Sequence, residues 1–369
     1  MNRLRQISEL GQAVWLDNIN RHLIDDGELQ RLVEEDGLSG VTSNPTIFKS
    51  AMGEGDRYNA ALRQAFEETR DAREVFFRVA EQDIRDGCDI LRPVFEATGG
   101  QDGYVSFELP PDVSDDVEGS VELAQRFRDE LDRPNVLIKV PGTAAGVGAF
   151  EELTAAGVSV NVTLLFAVPR YEEVAEAYLR GLERRVQAGE PVDRIASVAS
   201  FFISRVDGKV DPRLDELGRP ELKGEAAIAN AKLAYEAFRR IFAGERWEAL
   251  RAKGANLQRP LWASTSTKNP DYPDTIYVDG LIGPDTVNTM PDKTLAAARD
   301  HARVERTIDR DVEGAHAHLD AVRAAGVDFD DIVSRELLEQ GIAAFTDSFD
   351  SLVATIGDKA EALTPAGRG

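Results

Sequence analysis

The stretch N-V-L-I-K-V-P-G-T, residues 135–143, decides how the rest of the chain reads. A short apolar run closed by Pro141 and Gly142 suits a strand buried on both faces, as in a parallel sheet covered by helices. Lys139 stands in its middle. Lysine is among the residues least often buried, and taking its ammonium group out of water without a partner is costly. Only the neutral amine attacks a carbonyl, and at pH 7 a free lysine with a pKa of about 10.4 is neutral roughly once in 2500. Apolar burial or neighbouring cations lower that pKa by up to ~3–5 units, so an expensive position and a useful nucleophile coincide. The competing reading is structural: a lysine paired with a carboxylate, or one whose head reaches water at the strand end.

Working outward, further strands are expected at residues 13–18, 40–44, 104–109, 158–166, 195–203, 260–266 and 275–281. Helical patterns fall at 20–35, 117–131, 146–155, 171–186 and 225–242, with two or three more helices between the second and third strands. Past residue 291 the chain reads as helices at 294–306, 313–325 and 331–356, while 207–220 reads as a charged, Pro-containing loop. Eight strands with interleaved helices and no linker predict an α/β fold. It is a single (β/α)8 TIM barrel over residues 1–356, with additional helices after strand 2 and at the C-terminus and a frayed tail at 357–369. One connection strains this scheme: T-K-N-P-D-Y-P-D, between the last two strands, is too short for a parallel crossover.

Composition narrows the function. The chain of 369 residues is 42% hydrophobic and 30% charged, and no apolar run approaches the ~18 residues of a membrane span. The opening M-N-R-L-R-Q-I lacks the apolar core of a secretory signal, so a cytoplasmic location is expected. Cys88 is the one cysteine and cannot form an internal disulfide. His22, His301, His316 and His318 lie outside the strand patterns, which disfavours a histidine metal site. A net charge of −23 repels nucleic acid and anionic membranes, so neither is an expected partner, and an anionic metabolite would need a local pocket of cations or N–H groups. Nothing in the sequence sets an oligomeric state.

Polar residues intrude where strands should be apolar. Ser159, Asn161 and Thr163 share a face by alternation, and Ser264 and Ser266 share one with Trp262. Asp17 and Asn18 end the first strand, Asn44 the second and Glu108 the third, and the sixth runs through Ser200 to Arg205. Singly, each has a structural explanation: Asp17 as a helix cap, Asn44 serving the turn before Pro45, Glu108 pairing with Lys139. Jointly they sit late in successive strands, where barrels of this kind carry their sites.

These motifs also carry a resemblance. The ordered set V-W-L-D-N, T-S-N-P-T-I-F, I-K-V-P-G-T, N-V-T-L-L-F, S-F-F-I-S-R, W-A-S-T-S-T-K-N-P and D-T-V-N-T-M-P, over roughly residues 10–300, resembles the transaldolase family in its longer bacterial subgroup. The resemblance implies transfer of a dihydroxyacetone unit through a lysine Schiff base, without metal or organic cofactor, in the non-oxidative pentose phosphate pathway. Sugar phosphates are the implied partners: sedoheptulose 7-phosphate and glyceraldehyde 3-phosphate exchange for erythrose 4-phosphate and fructose 6-phosphate. On this basis Lys139 is the amine and Asp17 the acid and base at the C4 hydroxyl. Glu108 and Thr163 hold the water of imine formation, and Asn44 and Asn161 bind the dihydroxyacetone hydroxyls. Arg205 grips the phosphate beside Ser200 and Ser264. Many members place a second arginine where this chain has Ser266, and Lys268 is the residue able to replace that charge, as a point cation rather than a planar fork. Two alternatives remain beside transfer: an aldolase that releases free dihydroxyacetone, and a non-catalytic barrel that binds sugar phosphates. A metal-dependent aldolase or hydrolase is weaker without strand histidines.

Overall fold

Eight short strands pair in parallel, each with the next, and the eighth closes on the first. They are β1 (Gln12–Leu16), β2 (Gly40–Thr42), β3 (Tyr104–Glu108), β4 (Val136–Pro141), β5 (Val160–Leu165), β6 (Ser197–Phe202), β7 (Gln258–Ala263) and β8 (Thr286–Met290). The structure is a computed structural model that describes residues 2–364. The (β/α)8 barrel expected from the sequence is the one observed.

Helices fill the connections. α1 (Arg3–Glu9) precedes β1, and α2 (Arg21–Asp25) and α3 (Glu28–Arg31) follow it, running into a π-helical turn at Leu32–Asp36. After β2 come α4 (Pro45–Gly53), α5 (Asn59–Glu68) and α6 (Ala72–Ala97), the extra helices expected there. Then follow α7 (Val117–Leu131), α8 (Ala144–Ala156), α9 (Val168–Ala188), α10 (Ser204–Glu216), α11 (Ala226–Ile241), α12 (Glu245–Arg251), α13 (Ile276–Asp279), α14 (Asp292–His301), α15 (Val312–Ala324), α16 (Phe329–Asp331) and α17 (Leu337–Leu363). Several strand-to-helix turns are fixed by side-chain caps. Asn20, Asn44, Asp116 and Thr143 each accept a first-turn N–H, and Pro45 opens α4 with the preset backbone angle that suits a first helical residue. Among the described residues no helix is long and apolar enough to cross a membrane.

Strand alternation divides the buried residues into two cores. Val14, Leu16, Phe107, Ile138, Val140, Val160, Val162, Phe201 and Trp262 face the helices. Trp15, Tyr104, Leu137, Val198, Leu261 and Val287 fill the barrel interior. Gly40 is what lets Trp15 lie across it, because a Cβ there would stand 2.4 Å from the indole ring. The indole N–H donates to Asp102 (2.9 Å), which also pairs with Arg259 (3.3 Å). Aromatic packing and this ion pair close the amino end, so the open end is the carboxyl one.

Four expectations are corrected. Residues 275–281 are not the eighth strand; they hold the short helix α13, and the strand is Thr286–Met290, so the connection from β7 has the length a parallel crossover needs. Residues 207–220 are not a loop for most of their length but belong to α10, whose Val206, Val210 and Leu214 bury one helical stripe despite Pro212. Residues 357–363 are helical in α17 rather than frayed, while 365–369 lie outside the described residues. Ser264 does not continue the alternation from Trp262. β7 ends at Ala263, and Ser264 takes the left-handed region at φ 55°.

Candidate functional site

At the carboxyl ends of the strands opens a cavity of about 1030 Å³. Its floor is Lys139. In the barrel register Lys139 pairs with Glu108 on β3 and with Asn161 on β5, so the three stand at one level. The Lys139 side chain is only 9% exposed, with Nζ 3.2 Å from Glu108 Oε1 and donating to the Ser43 carbonyl at 2.9 Å. The amine is therefore both paired and directed into the cavity that it lines.

Asp17 follows the last residue of β1 and is half-buried at the rim. Its Oδ1 accepts from Thr42 Oγ1 (2.7 Å) and from Asn44 Nδ2 (3.5 Å), and Thr42 Oγ1 lies 2.8 Å from Thr289 Oγ1. A hydroxyl has a single proton, so Thr42 gives its own to Asp17 and receives one from Thr289. Burial pushes the Asp17 carboxyl above the usual carboxylate range, opposed by the Lys139 charge and by these hydrogen bonds. Glu108 is also raised by burial; Lys139 opposes the shift and the Asp17 charge adds to it. Two carboxyls, both raised by burial, thus share the cavity with one amine, an arrangement suited to passing protons between them.

Asn44 has two tasks. Its Oδ1 caps α4 through the Ile47 N–H (3.1 Å) while its Nδ2 reaches Asp17, so the turn reading and the site reading both hold. Thr163, opposite Pro141 in the register, is buried, lines the cavity and makes no side-chain hydrogen bond with the described residues. Ser200 lines the cavity and donates to Asn161 Oδ1 (2.6 Å), whose Nδ2 donates to Ser106 Oγ (3.1 Å). Of the ten candidates Asn161 alone does not line the cavity; it is fully buried between the two serines.

The cations stand at one side of the mouth. Arg205 is the second residue of α10 and is exposed, lies over the Phe202 ring at 5.0 Å, and forms no ion pair with the described residues. Ser264 Oγ is 2.9 Å from Ser204 Oγ, and Lys268 is exposed with Nζ donating to Ser266 Oγ (2.9 Å). Both side chains line the same cavity as Lys139. Sequence reasoning missed Thr42, Thr289 and the carbonyl of Ser43, although the two threonines stand inside quoted motifs and Thr42 shares the alternating face of Asn44. It also missed the outer wall, where Gly341, Ala344, Phe345 and Ser348 of α17 close the mouth. A Cβ on Gly341 would stand 3.1 Å from Leu164, so the bare backbone admits the helix this close.

A closed parallel barrel with a charged cavity at the carboxyl ends of its strands falls in the (β/α)8 class whose sites occupy that end. Within that class the chain belongs to the transaldolase/fructose-6-phosphate aldolase family, whose model matches residues 14–356. It is 48% identical to a transaldolase of Frankia alni, with 97% of each chain covered. It is 46% identical to a transaldolase of Thiobacillus denitrificans, covering 97% of this chain and 100% of that one. With a protein named Transaldolase 2 from a Nostoc strain the identity is 43% over 99% of both.

Proposed function

We propose that the chain is a transaldolase that carries a dihydroxyacetone unit from sedoheptulose 7-phosphate to glyceraldehyde 3-phosphate, giving erythrose 4-phosphate and fructose 6-phosphate. The observation that carries the reading is Lys139, a buried amine opening onto a polar cavity 3.2 Å from a carboxyl able to exchange its proton. Glu108 takes a proton from Lys139, and the neutral nitrogen attacks the donor carbonyl to form a carbinolamine. Glu108 then protonates the departing hydroxyl, and water leaves as the imine forms. Asp17 accepts the proton of the C4 hydroxyl while the C3–C4 bond breaks and its electron pair moves into the imine. The aldose leaves, the enamine attacks the acceptor aldehyde, Asp17 returns the proton, and water beside Glu108 and Thr163 releases the product.

In this reading Asn44 holds the dihydroxyacetone hydroxyls, and Asn161, buried behind the cavity wall, acts through Ser200, whose hydroxyl it orients. Arg205 and Lys268 receive the phosphate, with Ser264 beside them. The pathway is the non-oxidative pentose phosphate route in the cytoplasm, in keeping with the acidic chain and its single buried cysteine.

Borohydride reduction in the presence of fructose 6-phosphate, followed by peptide mass analysis, tests the reading. A stable adduct on the Lys139 peptide is expected, and an unmodified Lys139 refutes it. The matched family also includes aldolases that release free dihydroxyacetone. Transfer requires that product appear only when an acceptor aldose is supplied.

A further inference from the structure

Behind the cationic side of the cavity, the segment between β7 and β8 is tied to α10. Ser264 and Ser204 meet through their hydroxyls at 2.9 Å. Farther along, Tyr272 Oη donates to Asp211 Oδ2 (2.7 Å) and Tyr277 Oη to Asp207 Oδ2 (2.9 Å). The two carboxylates are buried one helical turn apart on one face of α10. Their other oxygens accept the N–H groups of Gly224 (3.0 Å) and Ala227 (2.8 Å). Gly224 has φ +80°, and a Cβ there would come within 2.9 Å of the Tyr272 ring, so the ring lies against bare backbone. None of the four acidic and phenolic residues lines the cavity.

What they hold does line it. Arg205 lies two residues before Asp207 on α10, and Lys268 lies four before Tyr272 on the connecting segment. Neither cation forms an ion pair among the described residues: Arg205 lies over the Phe202 ring and Lys268 donates to the Ser266 hydroxyl, which leaves both charges for a ligand. Lysine is a point charge on a flexible stem, and fixing its backbone beforehand lowers the ordering cost of binding. Two carboxylates beside an anion site would repel its ligand, and here neither lines the cavity, the oxygens of each being taken up by a phenol and a backbone N–H.

We propose that Asp207, Asp211, Tyr272 and Tyr277 are positioning residues that set the spacing of Arg205 and Lys268 and so the selectivity for a phosphomonoester end. This rests on the sugar phosphate reading above. The test compares the full-length chain with Tyr272→Phe, Lys268→Ala and the double variant, measuring KM for fructose 6-phosphate with erythrose 4-phosphate and Ki for inorganic phosphate. Tyr272→Phe is expected to raise both constants by about 3- to 10-fold, the usual size of a contact coupling, with kcat within about twofold. In the Lys268→Ala background the same replacement should change neither, because its effect is transmitted through Lys268. Equal effects in the two backgrounds, or an unchanged Ki in the single variant, overturn the proposal; a general loss of folding would lower kcat instead, and Tyr277→Phe then serves as the second probe of the same cycle. A parent chain that neither turns over fructose 6-phosphate nor responds to phosphate overturns the sugar phosphate reading along with it, which separates the two failures.

Discussion

Lys139 Nζ and Glu108 Oε1 face each other at 3.2 Å across β3 and β4, directly opposed in the strand register. The ion pair and the nucleophile, which the sequence offers as rival explanations of one lysine, are thus compatible. An ammonium has three protons to donate; Glu108 and the Ser43 carbonyl engage two, and the third direction is left for the cavity.

Replacing Lys139 by Met should abolish the borohydride adduct and leave Glu108 buried without its cation. Breaking such a pair costs about 3–5 kcal/mol. Without the ammonium, Glu108 moves further above the usual carboxylate range. The folded chain then retains a proton that the unfolded chain releases, and stability falls as pH rises. Thermal melts should show the Tm deficit of Lys139→Met growing from pH 5 to pH 8, and Glu108→Gln in the same background should remove that growth. A deficit independent of pH would refute the account.

Thr42→Val removes the donor that stabilises the Asp17 carboxylate. The Asp17 carboxyl, already raised by burial, should rise further. If Asp17 must be ionised to accept the C4 proton, the acid limb of the kcat/KM profile moves to higher pH while adduct formation on Lys139 persists. An unmoved limb would exclude Asp17 from that step.

Arg205→Ala should raise KM for fructose 6-phosphate by about 10- to 100-fold, since charge-assisted hydrogen bonds contribute about 1.5–3 kcal/mol. The Ki for inorganic phosphate should rise in parallel. A rise in KM with unchanged phosphate inhibition would place the phosphate elsewhere.

Asp207 is pushed up to about 7 by burial, with hydrogen bonds from Ala227 and Tyr277 opposing the shift. Its unfolded value is the ordinary one near 3.9. Between about pH 4 and 7 the folded state holds the extra proton, so stability declines as pH rises through that window and the contribution is lost above it. Asp207→Asn has no such titration, and its Tm relative to the parent chain should improve from pH 5 to pH 8. Parallel Tm curves would contradict this.

Gly40→Ala places a methyl 2.4 Å from the Trp15 ring. Overpacking of this kind costs about 1–3 kcal/mol, and urea unfolding should report it as a lower midpoint with an unchanged slope. A neutral substitution would mean that the indole can be displaced from the barrel axis.

Much of this architecture is legible because a strand buried on both faces is written as a largely apolar run: β4 is one broken by Lys139, and in β5 and β6 valine, leucine and phenylalanine still set the pattern around their polar residues. The eighth strand is not such a run. T-V-N-T-M is polar because Thr289 joins the cavity network and Thr286 donates to the Gly283 carbonyl, whereas T-I-Y-V-D-G-L has a strand-like composition and forms a helix that buries Tyr277 and Val278. In α10 the prolines and charges of 207–220 mask a helical stripe that only tertiary burial reveals. Within the site, the polar residues were visible as exceptions in apolar strands. Thr42 was not, since threonine is an ordinary strand residue. Phe345 and Ser348 were invisible because nothing in a helical pattern states which cavity the helix will cross.

That last helix alters how the binding site comes into being. Thr46 near the start of α4 meets Ser348 of α17 at 3.2 Å, across 302 positions of chain. A ribosome that has delivered these eight strands has therefore delivered a barrel with its top uncovered, and the enclosure of the cavity waits for a segment translated after all of them.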